Sequence, residues 1–156
     1  MSENNQINSV WHQFMADWLV KAQANGFPEI EQDPNWPSPC EFSEQGKTFW
    51  QPVKQEDNLS FENVERAMEY PLDESFKAFF TLYYADNISA QHADGQLQFL
   101  QAWSKTDFER LQQNLIGHLM MKARLKQAPT LFIAVTDQED LNIVINNATG
   151  EEFGTG

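Results

Sequence analysis

The sequence predicts an α+β fold in one domain, with a mainly antiparallel sheet of about five or six strands and helices packed against it. Three observations lead there. Residues 97–135 read as a strand, one long helix and a second strand that is apolar along its whole length. Elsewhere short β-rich runs are separated by turn signals, of which Asp94-Gly95 is the strongest. Two aromatic stripes at helical spacing, one before Gly26 and one from Phe76 to Tyr83, supply further helices.

The long unit comes first because the rest is arranged around it. Residues 97–103 carry Leu97, Phe99, Leu100, Ala102 and Trp103, a partly alternating run suited to a half-buried strand. Ser104 offers an N-cap, and Asp107 three residues on completes a capping box with Asp in place of Glu or Gln. Phe108, Leu111, Leu115, Ile116, Leu119 and Met120 then recur at steps that put them on one side of a helix. Lys122, Arg124 and Lys126 suit the negative end of its dipole, and Pro129 closes it. Gly117 in mid-helix costs roughly 1 kcal/mol against Ala, which predicts a close approach to another backbone. Thr130–Val135 follows as a strand too apolar to face water.

In chain order, residues 6–25 form a helix whose Ile7, Trp11, Phe14, Trp18, Leu19 and Ala22 dock it onto the core, with Gly26 and Pro28 as its stop. Four prolines between residues 28 and 39 forbid a helix interior or a central strand, so this acidic stretch is a surface loop pinned by Trp36. Cys40–Phe42 begins a short strand, Gly46 turns the chain, and Thr48–Val53 returns it before a loop from Lys54 to Asn58. Asn58 or Ser60 caps a short helix with Phe61, Val64, Ala67 and Met68 inward. That leaves Glu62, Glu65 and Glu69 on one acidic face. Pro71 breaks it, and Asp73 caps a helix carrying Phe76, Phe79, Phe80 and Tyr83, whose second half from about Thr81 also reads as strand. Asn87–His92 and Gln96–Trp103 pair as a hairpin. After Thr130–Val135 an acidic turn at Asp137, Glu139 and Asp140 leads to a strand from Leu141 to Ile145. The glycine-containing tail from Asn146 shows no evident structure.

Charge is the strongest compositional signal. The chain has 23 acidic and 10 basic residues, a net of −13. Residues 1–74 hold 14 acids and 4 bases, a net of −10, so the excess is uneven. Such a surface repels phosphate backbones and anionic leaflets, which argues against nucleic acid and against a direct lipid anchor. Acidity by itself aids solubility. The sharper reading is a basic protein partner, such as the Lys- and Arg-rich cytoplasmic loops of membrane proteins. One cysteine excludes an internal disulfide framework and fits a reducing compartment. The opening MSENNQINSV lacks the basic flank and apolar core of a signal peptide, and no apolar run reaches the ~20 residues of a membrane span.

Nothing in the pattern signals catalysis, so no enzyme activity and no cofactor are expected. His12, His92 and His118 fall on different elements and are not paired at ligand spacing. His118 reads as a hydrogen-bonded core or boundary residue, and Cys40 as a small buried hydrophobe. There is no zinc spacing, phosphate loop, dinucleotide fingerprint or nucleophile elbow. Asp137 to Asp140 lacks the oxygen spacing and glycine of a calcium loop, so no metal site is expected.

The runs Gln101-Ala-Trp-Ser-Lys-Thr-Asp-Phe-Glu-Arg110, Gln113-Asn-Leu-Ile-Gly-His-Leu119, Lys122-Ala-Arg-Leu-Lys126 and Pro129-Thr-Leu-Phe-Ile-Ala134 resemble the family of the SecY-interacting protein Syd. Pro37-Ser-Pro-Cys40, Phe49-Trp-Gln-Pro52, Val64-Glu-Arg-Ala67 and Ala90-Gln91 extend the likeness, which spans about residues 36–150. That family belongs to a superfamily of small α+β domains that includes toxin-immunity proteins. The resemblance implies a non-enzymatic adaptor at the cytoplasmic face of the inner membrane, taking the basic cytoplasmic loops of the SecY channel subunit into a concave, electronegative groove. It leaves the oligomeric state open. On this reading Glu62, Glu65, Glu69 and Asp94 are the candidate partner-binding residues, Glu65 and Asp94 falling where the family pattern also has acids. Trp50 and Trp103 could floor such a groove, with core packing the default for both. An immunity-type domain that neutralises a protein toxin is the alternative function. Relatives typically continue into a C-terminal helical segment beyond the point where residues 1–156 stop, which predicts an apolar surface less covered than theirs.

Overall fold

The computed structural model describes residues 2–92, 95–136, 142–150 and 152–155. From the N-terminus the elements are α1 (Ser2–Asn25), β1 (Glu29–Ile30), β2 (Glu41–Glu44), β3 (Lys47–Trp50), β4 (Val53–Lys54) and α2 (Glu62–Met68). They continue as α3 (Glu74–Thr81), β5 (Tyr83–Tyr84), β6 (Ile88–His92), β7 (Gly95–Phe99), α4 (Lys105–Arg124), β8 (Thr130–Thr136), β9 (Asn142–Asn146) and β10 (Glu152–Thr155). The fold is α+β. Its main sheet has five antiparallel strands in the order β10-β9-β8-β7-β6, beside a three-stranded sheet β1-β3-β2 and a two-stranded pair β4-β5.

Helix α4 begins where its capping residues put it. Ser104 takes extended backbone angles and its Oγ accepts the Asp107 N–H at 3.1 Å. Asp107 reaches back one residue further than in the usual capping box, its Oδ2 accepting the Trp103 N–H at 2.9 Å. Phe108, Leu115 and Leu119 are buried as the spacing predicts. Met120 is not. It stands 48% exposed while Gln112 takes the buried place, donating from Nε2 to the Ser60 carbonyl at 2.6 Å. That bond ties α4 to the start of α2 and rotates the stripe toward Gln112. The expectation for Gly117 is also corrected, because a Cβ there would meet nothing within 4 Å. With space free and the residue in an ordinary helical conformation, Gly117→Ala should stabilise the fold by up to about 1 kcal/mol in a urea titration. No gain would mean that the glycine serves something other than this packing.

The other elements follow their residue chemistry, with informative departures. Helix α1 ends at Gly26, whose φ of +100° and N–H···O bond of 2.7 Å to Ala22 make a left-handed stop. Trp11 packs on Phe79 and Trp18 on Trp50, at 5.0 and 4.8 Å between ring centres, and the fully buried anchor between them is Met15. The hairpin β2–β3 turns at Gln45-Gly46, both at positive φ. The loop predicted from Lys54 is shortened by the β4–β5 pairing, Val53 opposite Tyr84. Both readings of the Phe76–Tyr83 stretch hold in sequence: helix to Thr81, then strand. Asp73 caps α3, its Oδ2 accepting the Phe76 N–H at 3.1 Å.

Helix α2 starts one turn past Asn58 and has no side-chain cap bond of its own; Ala67, expected inward, is exposed. Phe61 and Val64 do point inward, and Phe61 sits among the rings of Phe76, Phe80 and Phe108. The strand predicted over 97–103 ends at Phe99. Past it, Leu100 donates to the Ile133 carbonyl and Ala102 accepts from Ala85, so residues 100–103 cross to another layer. The tail from Asn146, expected to be unstructured, turns at Gly150 (φ +74°) and returns as edge strand β10, with Phe153 opposite Val144. Asn146 builds that turn, its Oδ1 accepting the N–H groups of Ala148 and Thr149. The acidic turn at Asp137, Glu139 and Asp140, Leu141, and the Asp94 end of the hairpin lie outside the described residues.

Candidate functional site

A hollow of about 490 Å³ opens where five segments meet. The proline-rich loop contributes Glu31, Asp33 and Trp36, and the start of β2 contributes Glu41. Asp86 comes from the turn between β5 and β6, and Asp107 and Arg110 from the first turns of α4. Gln101 and Trp103 belong to the crossing segment that leaves β7.

The loop is held in place by local bonds and by two that reach 65 and 67 residues along the chain. The Ser38 hydroxyl donates to the Trp103 carbonyl at 2.6 Å and accepts the Cys40 N–H at 3.0 Å. Glu41 Oε2 accepts the Ser38 N–H at 3.0 Å. The Trp103 indole N–H donates to the Trp36 carbonyl at 3.2 Å. Proline fixes extended backbone in this segment, and its Glu29–Ile30 joins a sheet as edge strand β1 beside β3. Trp36 pins the loop as its sequence context predicts, with the Arg110 guanidinium 5.2 Å above its ring.

Five carboxylates therefore surround one guanidinium. Arg110 is already committed, with Nη2 3.0 Å from Asp107 Oδ1. Among the described residues no Lys or Arg pairs with Glu31, Asp33, Glu41 or Asp86. Burial pushes the Asp86 carboxyl above the ordinary carboxylate range; the Asn87 N–H, donating at 2.8 Å, opposes that rise and the charge on Asp107 adds to it. Gln101, only 6% exposed, donates from Nε2 to the carbonyls of Phe79 and Leu100, which leaves its Oε1 without a donor among the described residues. Carboxylates without a cationic partner line this hollow. Such an arrangement suits a cation bearing N–H donors.

The acids singled out by helical spacing lie elsewhere. Glu62 and Glu69 are exposed on α2, Glu69 as its left-handed C-cap. Glu65 turns inward and accepts from the Leu72 N–H at 2.7 Å and from Lys77 Nζ at 3.1 Å; Lys77 also meets Glu74. None of these three lines the hollow, and Asp94 lies outside the described residues. Of the two tryptophans, Trp103 lines the hollow while Trp50 is buried in the core.

Neither His12 nor His118 reaches the hollow. His12 bonds the Tyr83 hydroxyl through Nδ1, and His118 Nε2 lies 3.0 Å from Thr130 Oγ1. Burial, with Lys122 nearby, lowers the His118 pKa despite that bond. Cys40 is 1% exposed, and burial pushes its thiol up to about 11, well away from a reactive thiolate. Among the described residues no three His, Cys, Asp or Glu side chains are grouped to hold a metal ion.

The family model described as Syd protein (SUKH-2) matches residues 4–153. The chain belongs to the Syd family. It is 44% identical over 148 residues to Protein Syd of Alteromonas mediterranea, covering 93% of this chain and 81% of the relative. It is 46% identical over 152 residues to Protein Syd of Pseudoalteromonas atlantica, covering 94% and 80% respectively. Protein Syd of Colwellia psychrerythraea is 44% identical over 140 residues, covering 83% of this chain and 70% of the relative. None of these Syd names denotes a catalytic activity. Among the described residues no helix is long and apolar enough to cross a membrane.

Proposed function

We propose that this Syd-family chain is a non-enzymatic adaptor that binds basic cytoplasmic loops of the SecY channel subunit in the acidic hollow, and so regulates or checks the protein translocase. The observation that carries the reading is the convergence of Glu31, Asp33, Glu41 and Asp86 with no cation paired to them among the described residues. Lys and Arg side chains of a loop are the polypeptide groups that match it. On this reading the chain works in the cytoplasm, at the inner face of the inner membrane, held there by its protein partner and not by lipid or nucleic acid. Glu62 and Glu69 act as outer steering charges, and Asp94 adds its charge to the same attraction; Glu65 takes part in steering while it also supports the fold.

The test is a titration of SecY cytoplasmic-loop peptides into the protein, followed by tryptophan fluorescence from about 0.05 to about 0.5 M salt. Affinity should fall steeply with salt, and Glu31→Lys combined with Asp33→Lys should abolish binding. Binding that ignores both salt and charge reversal would overturn the proposal. So would capture of a toxin by the same hollow with no response to the loops.

A further inference from the structure

A second cavity of about 330 Å³ lies beside the acidic hollow, and Leu100, Leu111 and Asn114 line both. Phe76, Leu115, Phe132 and Val135 complete a lining that is almost wholly apolar. The two compartments therefore share a wall while differing in chemistry. Carboxylates line one, and aliphatic and aromatic carbon lines most of the other.

Each compartment constrains the occupant. The first calls for a cation with N–H donors, because Glu31, Asp33, Glu41 and the half-buried Asp86 line it with no Lys or Arg paired to them among the described residues. The second has room for one bulky apolar side chain, and solvent gains nothing by filling it. In an extended peptide neighbouring side chains diverge and alternate ones share a face about 6.6 Å apart, so a short segment can serve both compartments.

Building on the loop-binding reading, we propose that the hollow recognises a bipartite unit in its polypeptide partner: a Lys or Arg together with a bulky apolar residue one or two positions away. Basic charge steers the segment in, and the apolar neighbour selects which basic residue stays. This distinguishes one site in a basic loop from the many lysines and arginines around it.

Short peptides on an alanine and serine background test the idea, titrated against the full chain by calorimetry. One carries Arg with Phe at the next position, a second Arg with Phe two positions on, a third Arg with Ala at both. A fourth keeps Phe and replaces Arg with Gln. At least one Arg–Phe peptide should bind about tenfold or more tighter than the Arg–Ala peptide, and the Gln–Phe peptide should lose most of that affinity. Val135→Phe fills the apolar compartment and should erase the preference while leaving Arg–Ala binding unchanged. Should that variant misfold by circular dichroism, Phe132→Gln, which makes the apolar compartment polar and lies outside the acidic hollow, provides the same comparison.

Equal affinity for the Arg–Phe and Arg–Ala peptides, with salt-sensitive binding intact, overturns the bipartite unit and leaves the loop-binding reading standing. Absence of salt-sensitive binding by every Arg peptide overturns both. A preference for Phe that survives without Arg, or in a folded filled variant, also overturns the bipartite unit.

Discussion

Replacing Phe61 with alanine should lower the unfolding free energy by about 3–5 kcal/mol, enough to remove much of the stability of an ordinary domain. Phe61 is 1% exposed and precedes α2, so its ring is not held by a helix of its own. It is held by three others, with centroid distances of 4.9 Å to Phe108, 5.2 Å to Phe76 and 6.4 Å to Phe80. These rings come from α3 and α4, and truncation would leave a void that both helices must collapse to fill. The main chain beside it is also committed, since the Ser60 carbonyl accepts from Gln112, which resists that collapse. Urea unfolding should show a lower midpoint at unchanged slope. A loss below about 1 kcal/mol would mean that the ring is not the junction of these elements.

Local chemistry accounts for the elements that were legible from sequence. Ser104 with Asp107 starts α4, Asp73 starts α3, and Gly26 ends α1, each through hydrogen bonds within a few residues. What escaped depends on distant partners. Periodicity shows that α4 has an apolar stripe, but the Ser60 carbonyl determines that Gln112 is buried and Met120 is not. Gly117 carries a local cost in helix propensity, and no residue nearby in sequence indicates whether a close contact offsets it. Leu100–Trp103 continues a plausible strand alternation. A last bond to Ile133 on β8 still follows the sheet, and the Ala102 carbonyl then accepts from Ala85, a partner that no window of sequence contains.

The site divides in the same way. Net charge and its bias toward the first 74 residues pointed to a cationic polypeptide partner, and helical spacing drew attention to α2, where acids are neighbours. Neighbours on a short helix share a face, which need not be a concave one. Glu65 shows the difference, because its carboxylate holds the Leu72 N–H and Lys77 within the fold. The hollow instead collects acids from positions 31 to 107, each on a loop or at an element end. Composition carries their number; only the closure of the proline-rich loop onto Trp103 brings them together.

Asp86→Asn should weaken cationic-peptide binding by about 2 kcal/mol, or roughly thirtyfold, while raising the stability of the free protein at neutral pH. The two signs have one cause. Burial lifts the Asp86 carboxyl above its unfolded value, so folding favours the neutral form and the charged form is held at a cost. That favourable contribution is fully present below the unfolded pKa and disappears as pH rises through the folded one. Asparagine keeps the acceptor that takes the Asn87 N–H at 2.8 Å and removes the charge. Its stability advantage should accordingly be largest near neutral pH and shrink as pH falls through the raised folded pKa, where the wild-type carboxyl takes up its proton. Binding runs the other way, because a bound Lys or Arg compensates the buried charge and draws the Asp86 pKa back down. Urea midpoints across pH and peptide titrations on the same two proteins check both arms. A variant that lost stability and kept its affinity would assign Asp86 to the scaffold, whereas opposite signs mark a carboxylate held ready for an incoming cation.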